Sequence, residues 1–381
     1  MDVGLVVYGG LDRTSGGFRY DRKLVSALEA RGDEVDVVSI PWRTYPRHLA
    51  DGLSRSLRSR LNQPYDVLLQ DELCHPSLWR HNRHLDRPKA VVSIVHLLRS
   101  GPTSGPTRPL YRAIERRYLE SVDAAVCTSH DTHDRTRTLA DLPTLVAPPS
   151  GRVEGAAHSP KRVESRARGG RLRAVFVGNL LPRKGVRTLL SALARTDRQV
   201  ELTVVGSHEG DPEYARSARA DAYDLGIADR VAFTGEVPSG ELDRLLARSH
   251  VLAVPASYEG FGMVYLEAME YGVVPIASAV GGASEIVEHG RNGFLVEPDD
   301  PDEIASILSA LTADRDALAR LGTNALETAA RHPTWAVTMG RVRSFLRTVV
   351  DDASEGTRTD SLAGGASSAN AETGRERGDS A

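Results

Sequence analysis

Short apolar runs alternate with amphipathic stretches along most of this 381-residue chain, and they do so in two successive series. The first series has runs at 3–8, 34–40, 65–69, 90–95 and 123–127, and the second has runs at 172–178, 200–205, 230–234, 251–254, 273–277 and 293–296. Runs of this length are typical of buried strands, and strands that alternate with helices predict a parallel sheet covered by helices on both faces. We therefore expect an α/β protein that contains two such sheets.

The composition of the chain changes between the two series and again near its end. Pro, Gly, Ser and charged residues replace the periodic pattern before the second series begins, which predicts a linker. After the second series, an amphipathic stretch is followed by residues too polar to bury a core. We predict a first domain over 1–150, a linker over 151–171, a second domain over 172–333, a helix over 334–350 and a disordered polar tail over 351–381.

Cysteine content and charge narrow the class of protein. Cys74 and Cys127 are the two cysteines of the chain, too few for a disulfide framework, which predicts a reducing compartment. The first residues lack a basic segment and a long apolar stretch, and no apolar run has the length of a membrane span. We therefore expect a cytoplasmic protein, either free or attached peripherally to the membrane. With a net charge of −3 the chain as a whole is not basic, so it is not expected to bind nucleic acid.

Residues 251–272 contain the strongest candidate site in the sequence. A four-residue apolar run is followed by a loop rich in Pro, Ser and Gly, and helical spacing of apolar residues begins at Gly262. Helix starts expose unpaired backbone N–H groups that attract phosphate, and Gly260 and Gly262 let a ligand approach the backbone closely. Glu259 would lie beside such a ligand, with Glu267 one layer below. The alternative is an ordinary surface loop with two solvated carboxylates.

Two features of the first domain are expected at the same ligand-binding edge. Gly16 and Gly17 follow the first strand, and His96 ends the fourth. Parallel sheets bind ligands at the carboxyl ends of their strands. The alternatives are a glycine turn without a ligand and a structural histidine. No Gly-x-Gly-x-x-Gly pattern is present, so a dinucleotide cofactor is not predicted.

The second domain has further loops suited to phosphate. Gly178 follows its first strand, and Arg183 and Lys184 lie at the start of the next helical stretch, where cationic side chains and free N–H groups favour anions. Gly281 and Gly282 precede another helix start and add N–H donors. The acidic stretch 297–303 is better explained as a helix start, with Asp300 as the N-cap and Pro301 at the first helical position, and the chain contains no His/Cys cluster, so we expect no catalytic metal.

The pattern Glu259-Gly-Phe-Gly, four residues and then Glu267 resembles the signature of GT-B retaining glycosyltransferases of family 4, also called glycosyl transferases group 1. This resemblance covers roughly residues 1–350. It implies two Rossmann-like domains that face an interdomain cleft, with the last helix crossing back to the first domain. Asn179 stands where the family has an arginine of its diphosphate clamp. Arg183 either replaces that arginine or points to solvent.

The resemblance also implies roles for individual residues. Glu259 and His96 would act at the donor sugar, and Glu267 would hold the ribose. The remaining donor-binding residues would be Gly16, Gly17, Arg183, Lys184, Val237, Gly260, Phe261, Gly262 and Gly282. The implied activity is retaining transfer of a sugar from a nucleoside-diphosphate sugar to an acceptor, without cofactor or metal. The alternatives are a sugar-nucleotide epimerase of the same fold and an inactive homologue that binds a nucleotide or a partner.

Three basic stretches in the first domain suggest what the acceptor is attached to. The first, 42–60, carries five arginines, and the apolar stripe Leu49, Leu53, Leu57 and Leu61 accompanies it. A basic amphipathic surface suits anionic lipid or a phosphorylated acceptor, so we expect an acceptor that is lipid-linked at the membrane surface. The alternative is a helix docked on its own domain with its arginines solvated.

Overall fold

The computed structural model describes residues 1–101 and 105–368, with side chains described through Glu355, and contains two six-stranded sheets. The first sheet consists of β1 (Asp2–Tyr8), β2 (Glu34–Ile40), β3 (Val67–Asp71), β4 (Ala90–Val95), β5 (Ala124–Cys127) and β6 (Thr144–Val146). The second consists of β7 (Leu172–Val177), β8 (Val200–Val205), β9 (Val231–Gly235), β10 (Val251–Val254), β11 (Val274–Ser278) and β12 (Phe294–Val296). Neighbouring strands pair in parallel, as predicted.

Helices connect the strands in both halves. Those of the first half are α1 (Gly16–Glu29), α2 (Tyr45–Asp51), α3 (Arg55–Leu61), α4 (His75–Asn82), α5 (Arg108–Leu119) and α6 (His130–Leu139). Those that follow are α7 (Pro160–Ala167), α8 (Val186–Ala194), α9 (Pro212–Asp224), α10 (Ser239–Arg248), α11 (Met263–Met269), α12 (Pro301–Ala313), α13 (Arg315–Arg331) and α14 (Trp335–Ser368). The alternation of strand and helix gives two Rossmann-like domains, the architecture predicted from the sequence.

The strand order explains where a ligand would bind. The first sheet has the order β2-β1-β3-β4-β5-β6, and the second has the order β12-β11-β10-β7-β8-β9. The direction of winding therefore reverses between β1 and β3 in the first sheet and between β7 and β10 in the second. At such a switch point the loops leave the sheet in opposite directions and open a crevice at the carboxyl ends of the strands.

The first domain is completed by the end of the chain. Its sheet separates two apolar clusters, and one of them includes Trp335, Met339, Val342 and Leu346 of α14. The indole N–H of Trp335 also donates to the carbonyl of Gly151 over 3.0 Å. The second domain has one large cluster of its own around both faces of its sheet. The final helix therefore follows the second domain in sequence but packs as part of the first domain.

The structure differs from the sequence prediction at several elements. The three-residue strand β6 was not predicted, because so short a run has no measurable periodicity. The predicted linker contains α7, whose Val163 and Ala167 are buried on one helix face. Pro and Gly around α7 obscure this four-residue spacing. The helix predicted over 334–350 continues to Ser368, so the segment from 351 to 368 is helical, and the rest of the predicted tail, 369–381, lies outside the described residues.

The leucine stripe of the first basic stretch belongs to two short helices rather than one. The chain breaks after α2 at Gly52, and α3 begins after Ser54, whose hydroxyl accepts the N–H of Leu57. Leu57 and Leu61 are buried in the first domain, whereas Leu53 is exposed. Part of the predicted amphipathic surface is therefore consumed by the domain's own core.

None of the helices in the described part of the chain combines the length and apolar character needed to cross a bilayer.

We predict that Leu346→Ala lowers the free energy of unfolding by about 2–5 kcal/mol, because it leaves a cavity in the core that α14 shares with the first sheet. Arg347→Ala on the exposed side of the same helix is the matched control and should change it by less than about 0.5 kcal/mol. Urea denaturation measures both. Equal, small effects would show that α14 does not stabilise the first domain.

Candidate active site

The loops that carry the predicted site residues meet between the two domains. A Cβ atom added to Gly260 would lie only 2.3 Å from the backbone oxygen of His96, in the other domain. A Cβ added to Gly16 would lie 3.3 Å from the sulfur of Met263. Gly17 in turn faces the ring of His96, with 3.1 Å between its added Cβ and Cδ2. Residues predicted separately in the two halves therefore line one interdomain cleft.

Lys184 and Glu259 form an ion pair in this cleft. The Lys184 ammonium donates to Oε2 of Glu259 over 2.5 Å, and the two side chains are only 12% and 16% exposed. One guanidinium nitrogen of Arg183 lies 4.0 Å from the same carboxylate oxygen. Burial alone would raise the pKa of Glu259, but Lys184 and Arg183 outweigh it, and the pKa is lowered. Burial also lowers the pKa of Lys184, and Glu259 opposes that shift.

The positions of Lys184 and Glu259 follow from the strand order of the second sheet. They lie in the loops after β7 and β10, the neighbouring strands at the switch point. The two loops are in backbone contact, since Ser257 donates its N–H to the carbonyl of Arg183 over 2.8 Å. Gly185 has φ of 72°, and an added Cβ would lie 2.1 Å from the carbonyl oxygen of Pro255. The close approach that pairs Lys184 with Glu259 therefore requires glycine at 185.

The glycines at 281 and 282 pack against the loop that carries Glu259. Gly282 donates its N–H to the carbonyl of Glu259 over 2.9 Å. Added Cβ atoms on Gly281 and Gly282 would lie 2.1 and 2.2 Å from the carbonyl oxygens of Glu259 and Gly260. The sequence predicted that Gly282 contacts the donor, and in this structure it fixes the backbone beneath Glu259.

Glu267 lies on α11 and is bonded by the other domain. A guanidinium nitrogen of Arg19, on α1, donates to Oε1 of Glu267, and the second donates to the carbonyl of Gly151 over 3.0 Å. Burial raises the pKa of Glu267, while Arg19 acts in the opposite direction. Oε2 makes no hydrogen bond to the described residues. Arg19 was not predicted, because its role depends on how the domains face each other.

His96 is surrounded by acids of the first domain. Its Nε2 lies 3.1 Å from Oδ1 of the buried Asp21, on α1. Its backbone N–H donates to Glu72 over 2.8 Å, and that of Leu97 donates to the other oxygen of Glu72 over 3.3 Å. Burial by itself would lower the pKa of His96, but Asp21, Glu72 and Asp71 raise it to about 10. His96 is therefore a cation at neutral pH.

Asp21 and Glu72 were also missed by sequence reasoning, although the pattern of α1 contains a signal for the first. Asp21 falls on the buried face of α1, together with Phe18, Leu24 and Leu28. A charged residue on an otherwise apolar helix face needs a buried partner, and His96 is that partner. Glu72 immediately follows β3 and therefore lies at the switch point of the first sheet.

The remaining predicted residues have fewer side-chain contacts with the cleft. The Phe261 side chain is 5% exposed and packs in the core of the second domain near His332, so only its backbone is available to a ligand. Val237 is half-buried in the turn after β9 and packs on the same core. One guanidinium nitrogen of Arg183 is buried without a hydrogen-bond partner in the described structure, which shows that this side chain is not simply solvated.

Two more polar contacts cross the cleft. The carboxylate of Glu285 accepts the backbone N–H groups of His130 and Asp131 over 2.9 and 3.0 Å, at the start of α6. The hydroxyl of Tyr258 donates to Asp131, and the Arg135 guanidinium lies 4.7 Å from the centre of the Tyr258 ring. Together with the bond between Arg19 and Glu267, they hold the domains against each other.

One cluster of the described residues has donor atoms close enough to surround a cation. These atoms belong to Asp21, Asp71 and His96 and lie within 4.8 Å of one another. Nε2 of His96 is already bonded to Asp21, so the cluster is a charge pair with a neighbouring acid rather than an open set of ligands. We do not assign it to a metal, and metal independence remains a prediction.

Comparison with known proteins agrees with the motif in the second domain. Residues 159–328 match the family model "Glycosyl transferases group 1". The chain is 34% identical over 256 residues to the GDP-mannose-dependent alpha-(1-6)-phosphatidylinositol monomannoside mannosyltransferase of Mycobacterium tuberculosis, which covers 63% of this chain and 65% of that protein. It is 33% identical over 175 residues to the D-inositol 3-phosphate glycosyltransferase of Corynebacterium glutamicum, covering 45% of this chain and 42% of that one. The matches thus span less than two thirds of these relatives.

Solved structures share the fold over nearly the whole chain. The sucrose-phosphate synthase of Thermosynechococcus elongatus has a TM-score of 0.79 at 21% identity, covering 92% of this chain and 99% of that chain. Anabaena HepE in complex with UDP and glucose has a TM-score of 0.74 at 20% identity, covering 91% and 100%. The fold is therefore GT-B, and together with the family match these similarities support a GT-B glycosyltransferase.

We predict that Lys184→Met lowers the free energy of unfolding at pH 7 by about 3–5 kcal/mol, because it leaves the Glu259 carboxylate buried without its main partner. The double variant Lys184→Met/Glu259→Leu should be less destabilised than Lys184→Met alone, since no charge is then left unpaired. Chemical denaturation measures this double-mutant cycle.

Arg187→Met is the control for this cycle, because Arg187 pairs with Asp221 at the surface and should contribute at most about 1 kcal/mol. The pH dependence gives a second check. Since the pKa of Glu259 is lowered on folding, its contribution is present above the ordinary carboxyl pKa of about 4.3 and is lost as the pH falls below it. Additive single effects in the cycle would contradict a coupled pair.

Proposed function

We propose that this chain is a retaining glycosyltransferase that transfers a sugar from a nucleoside-diphosphate sugar to an acceptor, without a metal. The observation that carries the proposal is the ion pair of Lys184 and Glu259 at the switch point of the second sheet, facing the first domain across the cleft. It is supported by the family match over residues 159–328 and by the GT-B fold. A pair of buried opposite charges at a ligand-binding edge is ready to exchange partners with a charged ligand.

The donor diphosphate would replace Glu259 as the ion-pair partner of the Lys184 ammonium. Its charge is larger than that of one carboxylate, and Arg183 lies close enough to contribute a second positive charge. As the bond between sugar and phosphate breaks, negative charge grows on the leaving diphosphate. Cations fixed in a largely dehydrated cleft stabilise that charge, which is usually the largest catalytic contribution of such a site. This arrangement supplies the charge compensation for which other enzymes use a divalent metal.

Glu259 would act at the sugar as an ionised carboxylate. Because its pKa is lowered, it carries no proton to donate at neutral pH, so general acid catalysis does not suit it. A negative charge beside the sugar ring would stabilise the positive charge that develops at the anomeric carbon. Once Lys184 turns to the diphosphate, the carboxylate is freed for this purpose.

Glu267 would hold the ribose of the donor. Arg19 occupies Oε1 and thereby orients the carboxylate, and Oε2 is left to accept hydrogen bonds from ribose hydroxyls. Arg19 of the first domain would thus contribute to donor binding by orienting Glu267 of the second domain. The contacts of Tyr258 and Glu285 with α6 would keep water from the cleft, where it could otherwise accept the sugar.

We predict that Glu259→Gln lowers kcat for sugar transfer by about 10²–10³-fold, since charge stabilisation is lost in the transition state, and that it does not weaken donor binding, because the diphosphate no longer has to displace a carboxylate from Lys184. Glu267→Gln should instead weaken donor binding about 10–100-fold, because it removes a charged hydrogen-bond acceptor for ribose. Glu241→Gln, on the exposed face of α10, is the control and should match the parent.

Thermal stabilisation by GDP-mannose, UDP-glucose and ADP-glucose identifies the donor for these assays, because a bound ligand raises the unfolding midpoint. Transfer with EDTA present, and the anomeric configuration of the product by NMR, then test metal independence and retention. Interconversion of the free sugar nucleotide without transfer would indicate the epimerase instead. Unchanged turnover in Glu259→Gln would contradict the proposed mechanism.

We further propose that the acceptor is lipid-linked and is met at an anionic membrane surface. Trp42 and Leu110 are 47% and 54% exposed; Trp42 lies just after β2 of the first sheet, and Leu110 lies in the first turn of α5. Exposed arginines, including Arg43 and Arg112, lie close to them in the sequence. An exposed aromatic residue with nearby cations is suited to the interface of a bilayer. The relative from M. tuberculosis is named for a phosphatidylinositol-based acceptor.

We predict that the chain sediments with vesicles containing anionic lipid, and that Trp42→Ser/Leu110→Ser reduces the bound fraction at least severalfold. Tyr223→Ser/Leu225→Ser is the matched control, because these exposed apolar residues, 79% and 41% accessible, lie on the other domain. Binding should weaken as salt is raised, since it is partly electrostatic. No sedimentation of the parent protein with anionic vesicles would remove the membrane proposal and leave the transferase proposal intact.

A further inference from the structure

We propose that Asp21 is a positioning residue that fixes the His96 ring and keeps it as a hydrogen-bond-donating cation on the wall of the cleft. The inference deepens the proposed function and rests on it for the identity of the ligand, a sugar hydroxyl or phosphate oxygen of the donor. It concerns a part of the first domain that the sequence motif does not include.

The geometry around His96 leaves its ring little freedom. Oδ1 of Asp21 lies 3.1 Å from Nε2, and Asp21 itself is fully buried. The ring of Tyr20 meets that of His96 edge-on, with 5.3 Å between centroids. The backbone of Gly17 closes a third side, where even a methyl group would be crowded at 3.1 Å from Cδ2. These contacts all come from α1, so the helix holds the ring as one rigid unit.

The charges around the ring favour its protonated form. Asp21 is the only acid of α1 that faces the ring. Asp71 and Glu72, at the end of β3, also face it. The second domain contributes the uncharged backbone of Gly260, which lies against the backbone oxygen of His96. Burial would lower the pKa of His96, and the three acids raise it to about 10 despite that burial.

The acids do not have interchangeable roles. Both oxygens of Glu72 accept backbone N–H groups, of His96 and Leu97. One oxygen of Asp71 accepts the N–H of Leu73, and burial together with Glu72 and Asp21 raises the pKa of Asp71 well above the usual range. Asp21 is therefore the acid that bonds the ring directly.

The bond to Asp21 determines what His96 can do. Because Nε2 is bonded to Asp21, Nδ1 is the ring nitrogen that can bind a ligand. Nδ1 makes no hydrogen bond to the described residues, and the His96 side chain is 12% exposed. In the imidazolium form both nitrogens are donors. His96 would therefore donate from Nδ1 to an oxygen of the bound donor and could not act as a general base.

The test is the titration of His96, followed by NMR of protein labelled at histidine, with the signal assigned from His96→Gln. In the parent protein His96 should remain protonated at pH 8. In Asp21→Asn its pKa should fall by at least two units, and Glu29→Gln, at the exposed end of the same helix, should leave it unchanged. Asp21→Glu keeps the charge and should restore a high pKa.

The rate profile gives the second measurement. Transfer by the parent should be flat between pH 6 and 8, whereas Asp21→Asn should lose activity as pH rises across that range and regain it at the acid end. If Asp21→Asn fails to fold, the parent titration alone decides, because a His96 pKa near 6.5 overturns the proposal. Binding of one Mn²⁺ per chain that Asp21→Asn abolishes would also overturn it. The NMR titration needs no substrate, so absence of transferase activity with an unaltered titration would reject only the proposed function.

Discussion

The structure depends on an ammonium and a carboxylate that neutralise each other at the carboxyl ends of two neighbouring strands. Lys184 and Glu259 are separated by a long stretch of sequence, yet the strand order places the loops after β7 and β10 side by side. Neither charge would tolerate this environment alone, because burial opposes the ionised form of each. The pair can stay charged because the fold holds both members, and a ligand that separates them must itself supply charge.

That requirement also explains several of the glycines. The loops around the pair touch through backbone atoms, and side chains at 185, 281 and 282 would collide with carbonyl oxygens of the neighbouring loop. The first domain completes the cleft with Arg19 on Glu267 and with the cationic His96. Charged groups of both domains are thus matched across the cleft, and the final helix, packed into the first domain, ties the two halves together.

Much of this arrangement could be predicted from the sequence, and the parts that could not have physical causes. Strand runs such as 251–254 predict elements correctly because buried parallel strands are continuously apolar. The position of Glu259 at the ligand-binding edge could be anticipated from its place in a loop between a strand and a helix, and that of its partner Lys184 from an analogous loop. The pairing itself needed the strand order, which local periodicity does not contain.

Other residues could not have been found in this way. Arg19 and Glu285 act on the opposite domain, and no local pattern encodes how two domains dock. Phe261 was expected at the ligand because of its neighbours in the motif, but its side chain turns into the core. The leucine stripe beginning at Leu49 suggested one amphipathic helix, and the break at Gly52 divides it between core and surface.

The central claim is that a bound nucleoside diphosphate replaces Glu259 as the ion-pair partner of Lys184. A crystal structure of the protein with a bound nucleoside diphosphate tests it most directly, through the distance from Nζ of Lys184 to the nearest diphosphate oxygen. The account predicts a charge-assisted hydrogen bond of about 2.7–2.9 Å, with the Glu259 carboxylate released towards the sugar position. A nucleotide bound elsewhere, with Lys184 still bonded to Glu259, would contradict it.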